Sequence, residues 1–267
     1  MILEISSFSL WKMSNLIRSP KSGSDWANNE LLAYNIVVKD CTDDEFFGVR
    51  DVPIFRFSED RESRRVLDYL DLASKADQGQ ESAIDDFAKE LLRILGYERE
   101  GTLLRNRFAI PLEISGDSRR KAQTDLCLVH KANLLLLLLQ EDKTEFSSKN
   151  PEPQVIAEAI AAFQFNNKNR RQNMDKLEDL EEMIFPCITM VGTFPRFYLV
   201  PVTRELNECV MTGQYPHHTT TVLRYVPRIE GRRKSEGMVP KDNMEEILRC
   251  YSLFRETSEK NYSKFLV

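Results

Sequence analysis

The stretch Leu134-Leu135-Leu136-Leu137-Leu138-Leu139-Gln140-Glu141-Asp142-Lys143 decides how the chain reads. Six leucines fall far short of the roughly 18 apolar residues of a membrane helix. Asn133 before them and Gln140 after them bound the run at the length of a buried strand. An apolar strand without alternation is covered on both faces, so it belongs inside a sheet. Charged residues follow as soon as the leucines end. Residues two apart in a strand share a face, so Glu141 and Lys143 are expected to project together and Asp142 the other way.

Upstream, residues 123–130 read as a strand returning antiparallel to the leucine strand through a turn at 131–133, and this strand carries the mid-strand acid Asp125. Before it, Leu104, Phe108, Ile110, Leu112 and Ile114 alternate with Arg105, Arg107 and Glu113, the pattern of a strand with one wet face, and Gly116-Asp117-Ser118 supplies the turn. Ile84, Phe87, Ala88, Leu91, Leu92 and Leu95 recur at helical spacing until Gly96 stops the helix.

Downstream, Asn150-Pro151-Glu152 opens a helix over 152–167. Its apolar stripe is Val155, Ile156, Ala159, Ile160 and Phe163, while Gln154 and Glu158 share a second, polar face at i and i+4. The charged segment 174–183 predicts an exposed helix, 188–191 and 196–202 two strands about Gly192, 219–226 another strand, and 244–254 a closing helix. His217 and His218, side by side in a strand, would face apart and make a poor metal site.

The serine-rich residues 1–30 read as a loose arm anchored by Trp11 or Trp26. Residues 31–38 and 53–57 are short strand candidates, 62–72 a helix, and the polar break 74–80 separates an N-terminal extension (1–75) from a core domain (76–267). Strands and helices alternate only in part, which predicts an α/β protein with a mixed central sheet flanked by helices.

With 267 residues, 42% of them hydrophobic, the chain can bury a substantial core. A formal charge of −5 excludes coating of polyanions by bulk charge, so any nucleic-acid site must be local. Five scattered cysteines without a C-x-x-C pair suggest neither a disulfide framework nor a zinc knuckle, and a reducing compartment fits them. No secretory or membrane-spanning segment is visible, so the expected location is intracellular, nucleus or cytoplasm, with no membrane partner. Gly96 and Gly101 have phosphate-loop spacing, but Thr102 replaces the lysine; dinucleotide, nucleophile-elbow and zincin motifs are absent.

What remains is Asp125, Glu141 and Lys143. A hairpin can bring the two carboxylates within reach of one ion, and two carboxylates with a backbone carbonyl and waters suit Mg²⁺, with Mn²⁺ as its substitute. A lysine beside that ion can orient and help deprotonate an attacking water and offset charge on a phosphorane-like transition state. This is a layout for phosphodiester hydrolysis, with nucleic acid as the partner and DNA or RNA left open.

Asp125, the hairpin, Glu141-Asp142-Lys143 and a helix opening Gln154-x-x-x-Glu158 resemble the PD-(D/E)XK nuclease superfamily with its restriction-endonuclease-like core. Residues 31–36, 140–143, 154–164 and 188–193 are also similar to uncharacterised multi-copy fungal proteins. The resemblance spans about residues 80–205 and departs at Thr124, where the motif name has proline. It implies that Asp125 and Glu141 bind metal, Lys143 assists catalysis and Gln154 contributes to the site. Glu81, three residues before Ile84, stands where the superfamily often adds an acid to the metal site; a first-turn acid favoured by the helix dipole is the other reading.

Glu141 and Lys143 have a second reading as a solvated ion pair at a strand end. The whole core would then be a non-catalytic nuclease-like module for binding nucleic acid or protein. Arg105 and Arg107, Arg119-Arg120-Lys121, and Lys168, Arg170 and Arg171 are the basic groups available to grip phosphates. The run Arg232-Arg233-Lys234 is too short to argue from.

Overall fold

The leucine run is an interior strand. The computed structural model describes residues 19–48, 52–75, 82–131, 134–142, 150–172 and 177–266, with 141 and 142 described by their backbone alone. In chain order the elements are α1 (Asn28–Ala33), β1 (Ile36–Asp40), α2 (Asp43–Phe47), α3 (Arg61–Ser74), α4 (Ser82–Ile94), β2 (Thr102–Ile114), β3 (Asp117–His130), β4 (Leu134–Asp142), α5 (Glu152–Gln172), β5 (Glu182–Val191), β6 (Phe194–Thr203), α6 (Arg204–Thr212), β7 (Thr220–Tyr225) and α7 (Lys241–Tyr262).

Among the described residues, seven strands form one mixed sheet in the order β1-β7-β6-β5-β4-β3-β2. Strands β2, β3 and β4 make an antiparallel meander. Helix α5 then crosses over to set β5 parallel to β4. Strand β6 returns antiparallel, β7 pairs with it, and β1 lies parallel on β7. The protein is therefore α/β, with a mixed sheet flanked by helices. Strand β4 has β3 on one side and β5 on the other, and Leu135 to Leu138 are wholly buried.

Local chemistry accounts for the elements that frame this centre. The β2–β3 hairpin turns on Ser115 (φ 49°) and Gly116 (φ 74°), both left-handed as a two-residue turn matched to strand twist requires. The turn therefore sits earlier than Gly116-Asp117-Ser118. At the start of α5, Asn150 Oδ1 accepts from the Glu152 N–H at 3.2 Å. The helix continues past 167 to Gln172, and every residue from Val155 to Phe163 is buried, Glu158 included. It packs on β2, β3, β4 and β5, while residues 23–25 and α1 also touch it. Trp26 is the buried anchor of the N-terminal arm, stacked on Tyr34 with ring centroids 5.7 Å apart; Trp11 lies outside the described residues.

Several segments differ from their sequence reading. Residues 31–33 belong to α1, and the strand begins only at Ile36, after Asn35 turns at φ 52°. Residues 53–57 are irregular because the Phe55 N–H donates to Ser252 Oγ on α7 rather than to a strand. Residues 177–181 are not helical: the Leu180 N–H donates to Asn167 Oδ1 and Arg170 Nε to the Glu178 carbonyl, so this charged segment is laced to the end of α5. His217 and His218 precede β7 instead of lying in it, and their N–H groups both donate to Glu205 Oε1, at 2.7 and 3.2 Å.

Among the described residues no helix is long and apolar enough to cross a membrane. All five cysteines are free thiols.

Candidate functional site

Three elements meet where β3 and β4 part. The last β3–β4 pair is Leu126 with Leu139, and one residue further on Gln140 Nε2 donates to Asp125 Oδ2 at 2.5 Å. Gln140 is buried and Asp125 half-buried, so this bond fixes the carboxylate at the mouth of the opening strands. The Thr124 hydroxyl closes the gap beneath, 2.8 Å from the Leu139 carbonyl and 2.9 Å from that of Leu126. Threonine thus has a structural use at the position where the motif name has proline.

The third element is α5. Gln154 Nε2 donates to Glu158 Oε1 at 3.2 Å, which confirms that the i and i+4 positions share a face. That face is not a solvated one. Glu158 is completely buried, and its Oε2 has no hydrogen-bond partner. Burial pushes its carboxyl well above the usual range, and the nearby Asp125 charge adds to the shift, against the Gln154 amide and the Thr124 hydroxyl. Burial therefore favours the neutral form of Glu158. The same burial holds the thiols of Cys127, at about 12, and Cys187 in their neutral form, with Glu158 raising both further.

A buried carboxyl with an orphaned oxygen beside a second carboxylate fits a hard cation, which takes oxygen ligands and requires the acid to give up its proton on loading. Among the described residues no group of three or more His, Cys, Asp and Glu converges on one point. Glu141 continues β4, paired in register with Met190 of β5. Its side chain, all of Lys143, and Glu81 lie outside the described residues.

Sequence reasoning gave Gln140 and Thr124 no role in the site, and read Glu158 only as part of a polar helix face. The signal for Glu158 was there: it is the one charged residue between Val155 and Phe163, a run otherwise made of Val, Ile, Ala and Phe.

The basic groups sort into engaged and open. Arg119 and Arg120 both bind Asp117, at 3.0 and 3.1 Å, and hold its carboxyl at about 2. Arg171 binds Asp179 at 2.5 Å and Arg232 binds Asp242 at 2.9 Å. Arg105 lies over the Phe108 ring. No protein-family model matches the chain, and no curated protein matches it significantly.

Proposed function

We propose that the protein hydrolyses nucleic-acid phosphodiester bonds with a divalent cation, in the manner of the PD-(D/E)XK nucleases that its sequence resembles. The observation that carries this reading is the pair Asp125 and Glu158, a fixed carboxylate and a buried acid with a free oxygen, at the point where the β2–β3–β4 meander opens beneath α5. Asp125, Glu141 and Glu158 would hold Mg²⁺ or Mn²⁺. The bound ion supplies charge to stabilise the phosphorane-like transition state and acidity to its water. Gln140 keeps Asp125 aimed, Gln154 orients Glu158, and Lys143 holds the attacking water and offsets developing negative charge. Nothing favours Glu81 beyond its place before α4.

The test is incubation of the full chain with plasmid, single-stranded DNA and RNA, each with Mg²⁺, Mn²⁺ or EDTA, alongside Asp125→Asn and Lys143→Ala. Metal-dependent cleavage that falls by roughly 10²-fold or more in Lys143→Ala, with unchanged melting, supports the reading. Absence of cleavage under every metal, or variants as active as wild type, overturns it and leaves a nuclease-like binding module.

A further inference from the structure

Beyond Asp125 and Gln140, the same register line runs on across the sheet. Gln140 pairs with Thr189 of β5, and Thr189 with Arg196 of β6. Cross-strand partners project to one face. Neighbouring strands lie about 4.8 Å apart, so Arg196 stands roughly 10 Å from Gln140 and 14 Å from Asp125. At that point a cleft of about 550 Å³ opens, lined by the cations Arg196, Arg224, Arg228 and Lys234 and by two acids, Asp40 and Glu230.

These four cations differ in what they are free to do. Arg224 is spent as a girder: its Nε and Nη2 bind Asp40 at 2.7 and 2.9 Å, and its Nη1 binds Glu152 in the first turn of α5 at 2.7 Å. Arg196 is half-buried, Arg228 and Lys234 are exposed, and none of the three forms an ion pair with a described residue. Arg228 and Lys234 are close enough to Asp40 to help Arg224 depress its carboxyl. Three cations that hold no ion pair among the described residues thus line one cleft, and its Arg224 is tied to the helix carrying Gln154 and Glu158.

We propose that this cleft is a phosphate subsite that grips the backbone of a nucleic-acid strand at a phosphate away from the one cut, with Arg196, Arg228 and Lys234 as its ligands. The assignment rests on the hydrolase reading for its substrate. The shared chemistry is a phosphate oxyanion, and a free phosphate group is the other source that could meet it.

Binding is measured on the full chain in EDTA with fluorescein-labelled oligothymidylate over a salt series, with inorganic phosphate as competitor. Arg228→Ala/Lys234→Ala removes two exposed charges; Arg61→Ala/Arg64→Ala, exposed on α3, removes the same net charge elsewhere. The first pair is expected to weaken binding about 10-fold and flatten the plot of log K against log salt by about 1.4, close to 0.7 per lost contact on a single strand. The second pair should behave as wild type. With metal, the cleft variant should raise KM and leave kcat near wild type.

Equal affinity and slope in the cleft variant and wild type overturn the subsite. Tight capture of inorganic phosphate without oligothymidylate binding overturns the strand assignment in favour of a free phosphate. Loss of strand binding in the cleft variant, in a protein that cleaves nothing, sustains the subsite and defeats the hydrolase reading alone.

Discussion

Arg107 passes through the left-handed region, at φ 50°, at the position of β2 directly across from Asp125. The ladder pairs Asn106 with Leu126 and Phe108 with Thr124, and between them Arg107 and Asp125 form no regular pair. The left-handed residue of β2 thus lies opposite the carboxylate that accepts from Gln140. A bulky side chain with positive φ is strained by an amount on the order of 1 kcal/mol or more.

Arg107→Gly should accordingly stabilise the protein by about 1 kcal/mol, since glycine adopts this conformation without a Cβ penalty. Arg107→Ala keeps the Cβ and should gain nothing. Urea midpoints of the two variants check this, and equal gains in both would trace the effect to the arginine's charge.

Gln140→Leu keeps a buried side chain of similar size but removes the donor that fixes Asp125. Removing such a supporting hydrogen bond commonly costs 10- to 100-fold in metal affinity or activity, and a loss of about that size is expected here. Mg²⁺ titration and initial cleavage rates, with a melting curve as control, measure it.

Glu158→Gln separates stability from activity. Because the folded protein raises this carboxyl's pKa, it binds the proton more tightly than the unfolded chain does. The resulting contribution is complete below the unfolded value, about 4.3, and is lost as pH rises toward the folded one. In EDTA, wild type should therefore lose melting temperature relative to Glu158→Gln as pH rises above the ordinary carboxylate range. A gain of roughly 1 kcal/mol for the variant at high pH corresponds to about 2–4 °C in a chain of this size. The same variant should lose metal-dependent cleavage. Parallel pH curves for the two proteins would place Glu158 in contact with water.

Asn166→Ala tests what holds β4 in place. The β4–β5 ladder runs from Leu138 to Asp142, so Leu135 lies below it. Buried Asn166 of α5 takes over there, with Oδ1 accepting from the Leu135 N–H at 2.8 Å and Nδ2 donating to the Leu135 carbonyl at 2.9 Å. Alanine leaves both backbone groups buried and unpaired, at about 1–3 kcal/mol each. Equilibrium denaturation should show a loss of about 2–5 kcal/mol.

The leucine strand, the meander around it and the crossover helix were legible because each repeats a simple period, two or 3.6, over enough residues to stand out. The candidate site was legible in the place of Asp125 on β3 and in the face that Gln154 and Glu158 share. It was not legible in the burial of Glu158: over residues 155–163 the helix is covered on one side by the sheet and elsewhere by residues 23–25 and α1, and those last covering residues are more than a hundred positions away. Residues 174–183 misled for a related reason. Their charges look like an exposed helix until Arg170, Arg171 and Asn167, all from the helix before, claim Glu178, Asp179 and Leu180.

The pairing of β1 with β7 also sets an order in time. Ile36 meets Thr220, so the strand made early waits for a partner 184 residues later. At about 5–20 residues per second of synthesis, that is a delay of roughly 10–40 s. For that interval Val37 and Val38 are an unpaired β-prone segment on a nascent chain, and Arg224, Asp40 and Glu152 cannot lock. The last joint of the sheet closes only after Arg224 has left the ribosome, so a chaperone that shields strand β1 during synthesis should raise the yield of folded protein more than one acting after release.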